Sequence, residues 1–253
     1  MPANKLCSIV VLACMAVLST TVVHGQDKNL ARAYHVVPKA GMAAQFEAAL
    51  SAHTRWRVAN GDPWAWGVSV YDTGDHFGTY SIFSGGHSWT DFDAYDADFG
   101  PQGRLHWQAN VAPLIESMTS IITATNLAIS KPPVGKRVTI VTVTKFRVRP
   151  GQEQRFEELI SQAMDTVRED LPGYWVWRSP ASGGGPDPYW ELIQLYAGWS
   201  GMQERDPTFA DIMSKEMGQD DFQDWMNEFR QTHRGTEVIT HRSRSDLAAT
   251  AAN

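Results

Sequence analysis

Cysteine is close to absent from this sequence: Cys7 and Cys14 are the only two. Both fall in the N-terminal stretch MPANKLCSIVVLACMAVLSTTVVHGQ. A basic Lys5, an apolar run from Ile9 to Leu18 and a small-residue exit at Gly25 give that stretch the form of a secretory signal peptide. The alternative, a lipoprotein cleavage box at Val11-Leu12-Ala13-Cys14, would cut inside the apolar run and leave it too short for export. Loss of residues 1–25 leaves no thiol. That excludes a disulfide scaffold, a thiol nucleophile and a cysteine metal ligand, even in the periplasmic or secreted location that export implies. The apolar run is too short to span a bilayer and does not recur, so no integral membrane segment is expected after the signal is removed.

Runs of positive charge are missing too. Lys and Arg total 22 against 28 Asp and Glu, for a net charge of −6; loss of Lys5 with the signal makes the mature chain more acidic still. Nucleic acid and anionic membrane are therefore excluded as partners. No glycine-rich loop precedes a helix, since Gly183-Gly184-Gly185 lies between two strand-like segments and is not a phosphate cradle. Ser182 lacks the strand–Ser–helix context of a nucleophile elbow. No pair of histidines at i, i+4 flanks a carboxylate, so no metal site is predicted.

What the chain does have is an internal repeat. Ala31–Phe46, ARAYHVVPKAGMAAQF, is answered by Val141–Phe156. Lys39-Ala40-Gly41 lies over Arg149-Pro150-Gly151, and Phe46 over Phe156. Trp64 and Trp66 answer Trp175 and Trp177, Tyr80 answers Trp190, and Trp89 answers Trp199. The ten tryptophans divide evenly between the halves, as expected for core and interface filling twice over. Repeats are read first because they fix architecture. Residues 26–130 form the first repeat, 131–136 a Pro-Pro-Val-Gly linker, 137–242 the second repeat, and 243–253 a small, polar tail expected to be disordered.

Within each half the periodicities read strand, helix, strand, strand, helical pieces, strand. In the first half these are Leu30–Val37, Met42–Ala59, Trp64–Tyr71, Phe77–Ser84, helical pieces across Ser88–Asp96 and Gly103–Glu116, and Met118–Ile129. The second half has strand Arg137–Val148 and helix Gln152–Leu171, whose Phe156, Leu159, Ile160, Ala163 and Val167 share one face. The prediction is an α+β fold of two tandem ferredoxin-like (βαββαβ) repeats. A sheet covered by helices on one face needs a partner on the other, which a duplicated chain supplies itself. The two antiparallel sheets should pack as an intramolecular, pseudo-dimeric barrel with helices outside.

A strand, a (Lys/Arg)-x-Gly turn, a helix with Phe on its first turns, and a Trp opening a later helix together resemble the dimeric α+β-barrel superfamily. That group includes NIPSNAP-like proteins, antibiotic-biosynthesis monooxygenases, haem-degrading monooxygenases and ligand-binding stress-responsive barrels. The resemblance covers nearly the whole mature chain and implies a pocket between sheet and covering helices. It implies a small-molecule ligand, and either monooxygenase-like chemistry or, as the alternative, non-catalytic ligand binding or surface interaction. No cofactor is expected from any motif, and haem is the one that the resemblance admits. Where haem-degrading members place Asn, Trp and His, this chain has Tyr34, Tyr95 and His106, so two of the three depart. Association into a homodimer beyond the internal pseudo-dimer is left open.

Positions that are polar in one repeat and apolar in the other point to something other than packing. His53 and Arg57 stand where the second half has Ala163 and Val167, and His87 stands where it has Ala197. With His106 these are the candidate catalytic residues. Histidine is readily tuned as a base near neutrality and also ligates haem iron, while Arg suits a carboxylate or enolate. Tyr34, Trp56, Trp66, Trp107 and Asn110 are the candidate ligand-binding residues. Strand parity turns Tyr34 and Val36 toward that pocket, and His35 the other way. Each histidine taken singly reads more readily as a partly exposed, hydrogen-bonded bystander than as a site residue, and the joint asymmetry of His53, Arg57 and His87 is the stronger signal.

Overall fold

The structure, a computed structural model, describes residues 28–249. The predicted signal peptide and residues 250–253 lie outside the described residues. The elements run β1 (Leu30–Pro38), α1 (Ala43–Ala59), β2 (Gly67–Tyr71), β3 (Tyr80–His87), α2 (Trp89–Ala97), α3 (Gly100–Asn110) and β4 (Ile115–Lys131) in the first half. The second half has β5 (Ile140–Val148), α4 (Glu153–Val167), β6 (Tyr174–Ser182), β7 (Tyr189–Tyr196), α5 (Phe209–Met217), α6 (Gln219–Thr232) and β8 (His233–Ser243).

The two halves use the same local devices. In each, a glycine in the left-handed region turns the first strand into the first helix: Gly41 at φ 76° and Gly151 at φ 82°. There a side chain would be strained whatever space surrounds it. The turn is closed by Met42 N–H to Lys39 O in one half and by Gln152 N–H to Arg149 O in the other, both at 2.9 Å. Ser88 with Asp91 and Thr208 with Asp211 form capping boxes at α2 and α5, satisfying amides that a helix start leaves free. α4 buries Phe156, Leu159, Ile160, Ala163 and Val167 along one stripe. α1 buries Phe46, Leu50 and His53 on the same stripe, which puts a histidine where the pattern calls for an apolar side chain.

The strands pair in the order β1-β3-β2-β8-β5-β7-β6-β4 and close into a barrel. Each half contributes a four-stranded antiparallel sheet, β4-β1-β3-β2 and β8-β5-β7-β6. The seams are β2 with β8, where Val70 pairs with Arg242, and β4 with β6, where Thr125 pairs with Arg178. Closure leaves no sheet edge unpaired. The two apolar cores lie outside the barrel, one between each sheet and its helices. The barrel interior is polar. His35 bonds Tyr71 at 2.9 Å, Tyr71 packs on His241 with ring centroids 4.0 Å apart, and Arg178 pairs with Glu191 at 2.7 Å.

Some boundaries differ from the sequence reading. The helix expected to reach Glu116 ends at Asn110, because Pro113 and the β-branched run after it favour a short turn and then β4. For its described part, the tail 243–253 is ordered in the structure and not disordered as its sequence predicts. Leu247 and Ala249 are buried in the first-half core. Ala249 exchanges backbone hydrogen bonds with Trp66 at 2.8 and 2.9 Å. Small residues are what such a strap needs to lie flat against a packed surface. Each half also leaves a cavity between sheet and helices, about 300 Å³ in the first and about 400 Å³ in the second.

Candidate functional site

The first-half cavity is built by alternation on β1 and by three helices. Period-2 geometry turns Arg32 and Tyr34 outward, toward the helices. Trp66, just before β2, is held by its two backbone bonds to Ala249. Arg57 comes from the last turns of α1, Tyr95 from α2, and Arg104 and Trp107 from one face of α3 at i, i+3. α3 can come this close to α2 because it opens on Gly100. A Cβ there would sit 2.9 Å from the Tyr95 carbonyl oxygen.

Arg57 is the most constrained of these side chains. Its guanidinium lies 4.4 Å from the Trp66 ring, a cation–π contact. It donates to the buried Asp62 carboxylate and to the Tyr95 hydroxyl. Asp62 also accepts the Trp64 amide at 2.9 Å. Burial, ahead of the neighbouring charges, raises the Tyr95 phenol, so it stays protonated. Arg104 pairs with Asp96 at 3.1 Å, and Arg32 reaches the same carboxylate only at 3.9 Å. Three guanidiniums therefore share two carboxylates, and the cleft carries surplus positive charge in a protein that is acidic overall.

Of the residues picked out by sequence, Tyr34, Arg57, Trp66 and Trp107 line this cavity. His53 and His106 do not line it. They face each other behind Trp107, Nδ1 to Nδ1 at 2.8 Å. One imidazole must donate and the other accept, which leaves the buried His53 Nε2 without a partner. Burial, then the charges of Arg57 and His106, push His53 down to about 3. It is a neutral ring at physiological pH and a weak base. Trp56 stacks on His106 with centroids 4.2 Å apart. Asn110 donates to the His106 carbonyl at 2.9 Å on the exposed side. His87 lies elsewhere in the core, stacked on Trp64 with centroids 3.8 Å apart and bonded to Ser84 at 2.7 Å. Burial lowers its pKa as well.

Arg32 and Arg104 line the cavity in addition to the residues picked out by sequence, and so does Tyr95, which stands where haem-degrading members place Trp. Arg32 shares strand parity with Tyr34, and Arg104 shares a helix face with Trp107, so both signals were present.

No family model matches the chain, and no curated protein sequence matches it. Solved structures do. Two putative monooxygenases superpose over almost their full length. One, from Lactobacillus acidophilus NCFM, is 12% identical, with a TM-score of 0.55 over 89% of this chain and 98% of that one. The other, from Fusobacterium nucleatum, is 14% identical, with a TM-score of 0.56 over 86% and 93%. An anthrone oxidase-like protein is 13% identical, with a TM-score of 0.52 over 90% and 97%. The fold is that of the dimeric α+β barrels. Identities this low carry the fold and nothing more.

Haem, the cofactor that the resemblance admits, needs an axial donor at the cavity wall. Among the described residues the lining of neither cavity offers an imidazole or a thiolate. The axial donor types that are present include the phenols of Tyr34 and Tyr95 in the first lining and the thioethers of Met164 and Met202 in the second. Among the described residues no helix is long and apolar enough to cross a membrane.

Proposed function

We propose that this is an exported small-molecule-binding protein whose first-half cleft takes a planar aromatic molecule as its anion and acts on it in monooxygenase-like fashion. The observation that carries the proposal is the charge count: three guanidiniums against two carboxylates, inside walls made of Tyr34, Trp66, Tyr95 and Trp107. Indole and phenol rings suit a flat ligand, and guanidinium donors suit an oxyanion. Among the described residues no histidine or carboxylate lines the cavity. The substrate must then be acidic enough to give its proton to solvent water while the guanidiniums stabilise the anion, as an activated CH₂ beside an aryl ketone is.

Such a carbanion is the species that reacts with dioxygen without a cofactor. The CH₂ becomes C=O, one oxygen atom enters the product and the other leaves as water. In this role Arg32 and Arg57 hold the enolate oxygen, Tyr34, Trp66 and Trp107 wall the ring system, and the neutral Tyr95 donates a hydrogen bond. The monooxygenase designations of the structural neighbours support the choice of reaction, and the anthrone oxidase-like neighbour suggests the probe.

The test is oxygen uptake by the mature protein with anthrone. Turnover that falls at least about tenfold in Arg32→Gln, with the melting temperature held, supports the reading. Binding without oxygen uptake would favour the non-catalytic alternative. Uptake unaltered by Arg32→Gln and Tyr34→Phe would remove the cleft from the reaction.

A further inference from the structure

The second-half cavity occupies the pseudo-equivalent place but has opposite chemistry. Its inner walls are Phe146, Met164, Trp175, Trp177, Leu192 and Trp225. Where the first half has Tyr34, His53 and Arg57, this half has Thr144, Ala163 and Val167, and Ala163 forms part of the wall. Glu204 and Arg205 are the charged side chains of the lining, and both lie on the segment that follows the short turn Trp199–Met202 at the mouth. Arg205 is folded back beside Gly173, with its guanidinium 5.8 Å from the Tyr196 ring. On that turn Trp199 is 48% and Met202 36% exposed, an apolar landing beside the opening.

We propose that this cavity is a second, separate binding site and that it takes an uncharged aromatic molecule. A wall of three indoles offers flat, polarisable contact. A charged group brought among the indoles would lose its hydration, because the charged side chains of the lining, Glu204 and Arg205, stand on the segment after Trp199–Met202 and not on the indole wall. The volume of about 400 Å³ lies within the range of small-molecule sites. The site is independent of any reaction in the first half, and the two cavities of one barrel would then select by charge.

N-Phenyl-1-naphthylamine, an uncharged probe that fluoresces in apolar surroundings, tests this on the mature full-length chain. Saturable one-to-one binding is expected. Ala163→Phe, which fills the cavity from its buried wall, should weaken it at least roughly tenfold. Leu192→Trp, from a partly exposed wall position, should do the same if the first variant fails to fold, with circular dichroism confirming structure. Arg32→Gln in the other cavity should leave probe affinity unchanged. 2-Acetylnaphthalene should displace the probe at least about tenfold better than 2-naphthoate. Absence of saturable binding, binding unchanged in folded filled variants, or loss of binding in Arg32→Gln instead would each overturn the site. Equal displacement by the naphthoate would overturn the ligand class.

Discussion

Thr54, on the first helix, donates its hydroxyl to the carbonyl of Leu247, 3.0 Å away and almost at the other end of the chain. With Arg244 paired to Glu47 on the same helix, this bond straps the C-terminal segment across the helix that carries His53 and Arg57. The strap also pairs with Trp66, so the second half of the chain helps to position the wall of the first-half cavity.

Leu247 is only 3% exposed. Leu247→Ala should therefore cost about 2–4 kcal/mol, as for other buried leucines. Removal of residues 244–253 should cost more and should weaken ligand binding in the first cavity. Urea unfolding of both variants checks the first expectation and titration of an aromatic anion the second. Wild-type stability in the truncated protein would mean that the strap is not part of the fold.

The Arg57–Asp62 pair is buried, with 12% and 2% of the side chains exposed. Breaking a buried ion pair from one side leaves an uncompensated charge. Arg57→Met alone should cost about 3–5 kcal/mol. Arg57→Met with Asp62→Asn should recover more than half of that, because the amide oxygen can still accept the Trp64 N–H. A double-mutant cycle by chemical denaturation measures the difference.

Folding lowers the pKa of His35, His53, His87, His233 and His241, and His53 and His241 are shifted furthest. His53 is pushed down to about 3, by burial first and then by nearby positive charges. His241, in the barrel interior, is pushed down to about 4 by burial and then by Arg178 and His35. The unfolded chain takes up these protons near pH 6.5. The stability that depends on them is complete above pH 6.5 and is lost as pH falls toward 4. Each contributes a slope of up to roughly 1.4 kcal/mol per pH unit. Urea midpoints at pH 7.0, 5.5 and 4.5 should show the fall, and His53→Leu with His241→Gln should reduce it, leaving the part that His35, His87 and His233 contribute.

Gly41 and Gly151 make the same turn in the two halves, and a Cβ at either would touch nothing within 4 Å. The cost of Gly→Ala at each is therefore backbone strain alone, about 1 kcal/mol. Thermal melts of the two single variants should agree closely. A large difference would show that the halves do not use one turn.

Much of this molecule follows from local patterns. The Gly41 and Gly151 turns, the alternation on β1 that points Tyr34 outward and His35 inward, and the stripe on α4 all depend on neighbours a few residues apart. Those determined two ferredoxin-like halves, and the need to cover a bare sheet face determined the barrel. The cavity wall depends instead on contacts between distant segments. Arg32, Tyr95 and Arg104 converge only because three elements meet. His53 and His106 look alike in sequence to any pair of pocket histidines until packing turns them toward each other. Leu247 and Ala249 read as tail because a short apolar stretch carries no periodicity to show that it is buried. Repeat and period set the architecture, whereas the tertiary structure decided which side chains meet, since only packing brings residues far apart in the chain within reach.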